Sequence, residues 1–136
     1  MLNGALRFSH NDGRKLDIAF VYRDAATGEL SNKTPSAIGY GISEEPLPGE
    51  YDRPKACRGS ASYSFIHDHW PQGAKAAYRF DPAITRQLIS GFARDRRVEK
   101  ILLEPHLTQR LSLDQGRVKP VQCGSVRHDD HVHIQI

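Results

Sequence analysis

Long apolar runs are missing from this chain. No stretch approaches the roughly 20 consecutive apolar residues that a bilayer-spanning helix needs, so none of its 136 residues is expected to cross a membrane. The opening MLNGALRFSH has neither the basic n-region nor the apolar h-region of a secretory signal. That leaves a cytoplasmic protein or one whose targeting segment lies upstream. Charge of one sign is scarce as well. The 19 basic and 16 acidic residues leave a net charge of +3, a small excess rather than the dense basic face that binding a phosphate backbone requires, and no nucleic-acid partner is expected. The compact basic run RDRR at 94–97 reads as the end of a helix, where cations complement the helix dipole. Cysteine is nearly absent. Cys57 and Cys123 lack CxxC spacing and read equally as a long-range disulfide of an oxidising compartment or as two buried free thiols.

What is present suits one globular domain spanning 1–136, large enough for a single hydrophobic core. In KLDIAFVYR, 15–23, Leu16, Ile18, Phe20 and Tyr22 alternate with Asp17, Ala19 and Val21, which predicts a strand with one bulky apolar face. From about 28 to 75 periodicity fades into Gly-, Pro- and Ser-punctuated segments, read as a functional loop system. FDPAITRQLISGFARDRR predicts an amphipathic helix with Asp81 as N-cap, Pro82 at the first position and Ile84, Leu88 and Phe92 on one face. VEKILLE, 98–104, reads as a buried strand, PHLTQRLSL as a short helix opened by Pro105 with His106 on its surface, and HVHIQI as a last strand. The fold class is therefore α+β: a small antiparallel sheet packed against helices.

The chemistry concentrates at the two ends. RHDDHVHIQI, 127–136, holds three of the seven histidines. Period two puts His131, His133 and Gln135 on one face of the strand, with Val132, Ile134 and Ile136 on the other. The apolar face packs on the core and holds the histidine face rigid. At the other end, SHNDGRKLD places His10 before a turn and Asp17 on the smaller strand face. His10, Asp17 and His133 would give zinc an N, O, N ligand set with the fourth position open, the architecture of a catalytic rather than a structural site.

SHNDGRKLD together with HDDHVHI resembles the signature of the LAS group of zinc peptidases (lysostaphin, D-Ala-D-Ala metallopeptidases, sonic hedgehog), built from a His-x(6)-Asp and a late His-x-His. The chain is most similar to the penicillin-insensitive murein endopeptidases, with His128 matching their extra histidine three residues before the His-x-His and VEKILLEPHLTQRL resembling their strand and helix. The resemblance implies one Zn2+ per domain, in a cleft on the sheet, held by His10, Asp17 and His133. It also implies His131 as the catalytic histidine, as general base or as oxyanion stabiliser, and His128 as an auxiliary in the site. The implied activity is hydrolysis of an amide bond in a D-amino-acid-containing peptidoglycan cross-link, in the periplasm or cell envelope.

Other readings stand beside this one. His67 and His69 form a second His-x-His, but Pro71 and a turn follow them instead of a strand; with Trp70 they read as a cleft wall or a competing site. Asp129 and Asp130 read as carboxylates that fix histidine tautomers or as solvated turn residues. A histidine-triad nucleotide hydrolase would need a third histidine where Asp129 stands. A non-catalytic zinc-binding interaction module of hedgehog type would keep the ligands but has no use for His131.

Overall fold

A computed structural model describes residues 13–57 and 70–136. Alternation in the first strand segment has the expected effect: β1 (Lys15–Ala19) sends Ile18 into the core while Asp17 lies on the opposite face, itself buried. The strand expected over 15–23 does not run through. It breaks at Phe20 and Val21, and β2 (Tyr22–Asp24) joins a separate two-stranded sheet with β3 (Tyr78–Phe80). Apolar alternation continues across the break, because Phe20 and Tyr22 still enter the same core as Ile18. Periodicity reports the buried face and is silent about which neighbour each half pairs with.

α2 (Pro82–Ala93), following a four-residue α1 (Arg53–Ala56), starts where the sequence predicts. The Asp81 carboxylate accepts from the Ile84 amide at 2.9 Å, and Pro82 occupies the first turn, where its missing N–H costs nothing. The buried stripe is rotated from the expected one: Thr85 and Ile89 are its centre, with Leu88 and Phe92 flanking it. Thr85 is tolerated there because its hydroxyl accepts from the Val21 amide.

The main sheet has the order β1-β6-β4-β5, with β4 (Lys100–Leu103), β5 (Val118–Pro120) and β6 (His131–Gln135). β6 is central and antiparallel to both β1 and β4. The sheet is mixed, not antiparallel as expected, since β4 and β5 are parallel. The reason is the intervening α3 (Pro105–Arg110), which carries the chain back so that β5 starts at the same end as β4, the crossover that parallel pairing requires. Ile89, Ile101, Leu103, Leu107, Val132 and Ile134 form the centre of the core. Each contributes roughly 1.5–3 kcal/mol by leaving water.

Candidate functional site

Strand register builds the site. β1 and β6 pair so that Asp17 lies opposite His133 and Ala19 opposite His131. Val132 and Ile134, both 1% exposed, anchor β6 from the core side, which fixes the backbone that carries the two histidines. All three polar side chains are nonetheless buried, a position that costs free energy unless each finds a partner.

Each does. His133 Nδ1 donates to Asp17 Oδ1 at 2.7 Å, and the Tyr40 hydroxyl donates to Asp17 Oδ2 at 2.7 Å. His131 Nδ1 lies 2.5 Å from Asp130 Oδ1; a carboxylate only accepts, so this nitrogen carries hydrogen. His131 Nε2 is then the ring atom presented toward Asp17, 3.9 Å from its Oδ2. His128 completes the cluster, its ring centroid 5.0 Å from that of His131 and 5.8 Å from that of His133.

The two nearest histidines are shifted in opposite directions. Burial, reinforced by the neighbouring His131, pulls the His128 pKa down to about 4, so its ring is neutral at pH 7. Its Nδ1 lies 2.9 Å from the Val126 carbonyl oxygen, which only accepts, so Nδ1 holds the single hydrogen and Nε2 is an acceptor. Burial also opposes the charged form of His131, but its hydrogen bond to Asp130 and the charges of Asp130, Asp17 and Asp129 outweigh that and raise its pKa. Two adjacent rings tuned apart in this way suit an acceptor and a proton carrier, respectively.

The pair Asp129 and Asp130 divides. Asp130 fixes the His131 tautomer, one of the two roles open to it from sequence. Asp129 is fully buried and turns instead to Arg127, whose Nε donates to its Oδ1 at 3.0 Å. Burial lifts its pKa to about 6 even with the guanidinium beside it. His106 is not the surface residue expected of a helix start. It is 0% exposed and its Nε2 donates to the Glu44 carbonyl at 2.6 Å, because α3 packs against the segment carrying Glu44.

Of the expected ligands, Asp17 and His133 are brought into contact, while His10 lies outside the described residues, as do His67 and His69. Among the described residues no group of three or more His, Cys, Asp or Glu side chains is placed to hold a metal ion. A carboxylate oxygen and an imidazole nitrogen that face each other, buried and held by rigid strands, are nevertheless donors of the kind zinc takes.

Three residues of the site escaped the sequence reading. Tyr40 comes from the aperiodic stretch, where the glycines on either side of it were the only local hint. Arg53 and Glu104 form a buried ion pair that reaches the site indirectly, since Glu104 Oε1 accepts from the His128 amide at 2.9 Å. Nothing local in the sequence marks them as partners. Cys57 and Cys123 form a disulfide, which ties the end of α1 to the loop that leads to His128. The chain matches no family model, no curated protein and no solved structure.

Proposed function

We propose that the protein is a zinc-dependent peptidase of the cell envelope that hydrolyses an amide bond in peptidoglycan cross-links. The observation that carries this reading is the Asp17–His133 contact with His131 beside it: an oxygen and a nitrogen donor 2.7 Å apart, and a tautomer-fixed imidazole whose Nε2 lies 3.9 Å from the same carboxylate. Asp17 and His133 would hold the metal together with His10, for which the support is the sequence resemblance alone. Bound there, zinc supplies Lewis-acid polarisation of the scissile carbonyl and activation of a water at neutral pH.

The chain's own residues do the rest. A metal held at His133 Nδ1 would need that nitrogen's lone pair, so the hydrogen it shares with Asp17 would have to move to Nε2 of the same ring. His131 moves protons through Nε2, toward the leaving amine, while Asp130 keeps Nδ1 protonated and the ring in place. Such general acid/base help is worth roughly 10²- to 10⁴-fold in rate. His128, neutral and with Nε2 as acceptor, orients a donor in the site, either water or a substrate N–H.

Metal analysis of the purified chain, with release of new amine ends from muropeptides, tests this reading. Wild type is expected to hold one zinc and to release amine. His133→Ala loses the metal, and His131→Ala keeps the metal but loses most of the activity. A wild type without stoichiometric divalent metal overturns the proposal. A zinc-loaded wild type that binds muropeptides without cleaving them identifies a non-catalytic module of hedgehog type instead.

A further inference from the structure

Tyr40 stands one residue before a segment that is clamped from two sides. Gly41 N donates to Asp130 Oδ2 at 2.7 Å and the Glu44 amide donates to the Asp129 carbonyl at 2.6 Å, which binds the segment to the turn preceding β6. From the other side, Gln72 Nε2 donates to the Gly41 carbonyl at 2.6 Å and Lys75 Nζ to the Ser43 carbonyl at 2.9 Å. Position 41 has to be glycine. Its φ is +92°, and a Cβ there would stand 2.7 Å from Trp70 Cγ. The backbone at Tyr40 is thus set by long-range contacts, and the side chain leaves it in a defined direction.

That direction leads into the site. The Tyr40 hydroxyl donates to Asp17 Oδ2, while its ring meets the His131 ring edge-on, with centroids 4.9 Å apart and an interplanar angle of 78°. Asp17 Oδ1 is held by His133. The carboxylate torsion is therefore fixed by donors on two different elements, and the next residue in the chain, Gly41, holds the carboxylate that fixes His131.

We infer that Tyr40 is a positioning residue of the metal centre, whose hydroxyl sets the Asp17 carboxylate for its ligand while the Tyr40–Gly41 backbone couples that setting to the orientation of His131. The inference rests on the reading of Asp17 and His133 as metal ligands. Hydrogen-bond partners that orient a ligating carboxylate typically matter about 10- to 100-fold in metal affinity.

The test is Zn2+ affinity of the full chain, measured by competition with a chromophoric chelator, alongside the visible absorption of the Co2+-saturated protein. Tyr40→Phe keeps the ring and removes only the hydroxyl. It is expected to bind Zn2+ about 10-fold or more weakly than wild type, to stay folded without metal at a somewhat lower melting temperature, and to show a shifted Co2+ absorption band. The Co2+ band is read at saturation, so it reports ligand orientation in folded, loaded protein whatever the stability of the variant. An unchanged Co2+ band with unchanged Zn2+ affinity overturns the role of Tyr40 and leaves the zinc reading standing. An unchanged band with weaker affinity and a lowered melting temperature also overturns it, by assigning Tyr40 to folding alone. If wild type itself takes up no stoichiometric metal, the underlying reading fails and this inference falls with it.

Discussion

Two arginine–carboxylate pairs lie at opposite extremes of burial. Arg53 and Glu104 are 1% and 0% exposed; Arg97 and Asp95 are 83% and 33% exposed. The buried pair is bidentate. Arg53 also donates to the carbonyls of Gln122, Ser125 and Val126, and Glu104 also accepts from the His128 amide. The exposed pair spans two residues in sequence just after α2, and among the described residues its other side-chain hydrogen-bond partner is Arg117, outside the site. A buried ion pair contributes little net stability relative to apolar residues of the same volume, but removing one partner strands the other charge in a low dielectric. What the contrast teaches is that the buried pair acts through placement. It fastens α1, the loop 122–126 and the backbone of His128 to one another.

The sharpest break in that contrast is Arg53→Met. It is expected to cost about 3–5 kcal/mol of unfolding free energy in urea titration, because Glu104 loses its counter-charge and the carbonyls that Arg53 caps lose their donor. Replacing both partners, with Arg53→Met and Glu104→Leu, is expected to recover only part of this loss, since the capped carbonyls and the His128 amide stay unpartnered. Full recovery in the double variant would show that the pair does not organise the loop.

Next in size is the disulfide that fastens the same loop. Cys57 and Cys123 are 66 residues apart, and closing a loop of that length is worth about 4 kcal/mol in the chain-entropy account, with measured values more often 2–4 kcal/mol. A Cys57→Ser, Cys123→Ser variant is expected to lose stability in that range. On the zinc reading proposed above, the folded variant should keep its metal affinity, because Arg53 still holds the loop. A marked fall in affinity would mean that the disulfide, not the ion pair, sets the loop.

The same contrast explains which parts of the molecule the sequence disclosed. Local signals are legible: the Asp81–Pro82 helix start, the alternation that buries Ile18, Val132 and Ile134, and the histidine face of β6. Each follows from residues within one turn or one pleat of one another. Pairing choices were not legible. The break at Phe20–Val21 and the parallel β5 depend on which strand lies alongside, and a three-residue strand such as Val118–Pro120 carries too few alternations to register. RDRR stands out as a charge run although its pair is peripheral, whereas Arg53 and Glu104, 51 residues apart, reach the site through the His128 amide. The same holds for Tyr40, which meets Asp17 across 23 residues of mostly irregular chain.

pH sharpens the comparison at an intermediate scale. His128 titrates near pH 4 when folded, against 6.5 for an ordinary histidine. Between those values the unfolded chain takes up a proton that the folded chain refuses, so stability present above pH 6.5 is lost as pH falls through about 4. Asp129, raised to about 6 by burial, works the other way, since the folded chain protonates it first and gains stability over the pH 6 to 4 range. In metal-free protein, His128→Gln removes only the first effect. Relative to wild type, it is expected to gain on the order of 2 kcal/mol between pH 7 and pH 4.5, read as a difference in urea midpoints. A pH-independent difference would mean that His128 is solvated, contrary to its burial. The exposed pair provides the control: Asp95, held below the ordinary carboxylate range chiefly by its hydrogen bond to Arg97, does not titrate in this window.

The smallest effect belongs to Arg97→Ala. The side chain is 83% exposed, so its attraction to Asp95 is weakened by water and screened by salt. Its removal also leaves the local turn intact, because the Asp95 carboxylate still accepts from the backbone amide of residue 97 at 2.9 Å and the Asp95 carbonyl still accepts from Arg117. The variant is expected to keep the wild-type urea midpoint within error in 1 M NaCl and to show at most a slight lowering at low salt. Burial rather than charge pairing is what separates the two pairs, and a salt-independent loss at Arg97 would overturn that conclusion by showing that the end of α2 depends on an ion pair that solvent should have made dispensable.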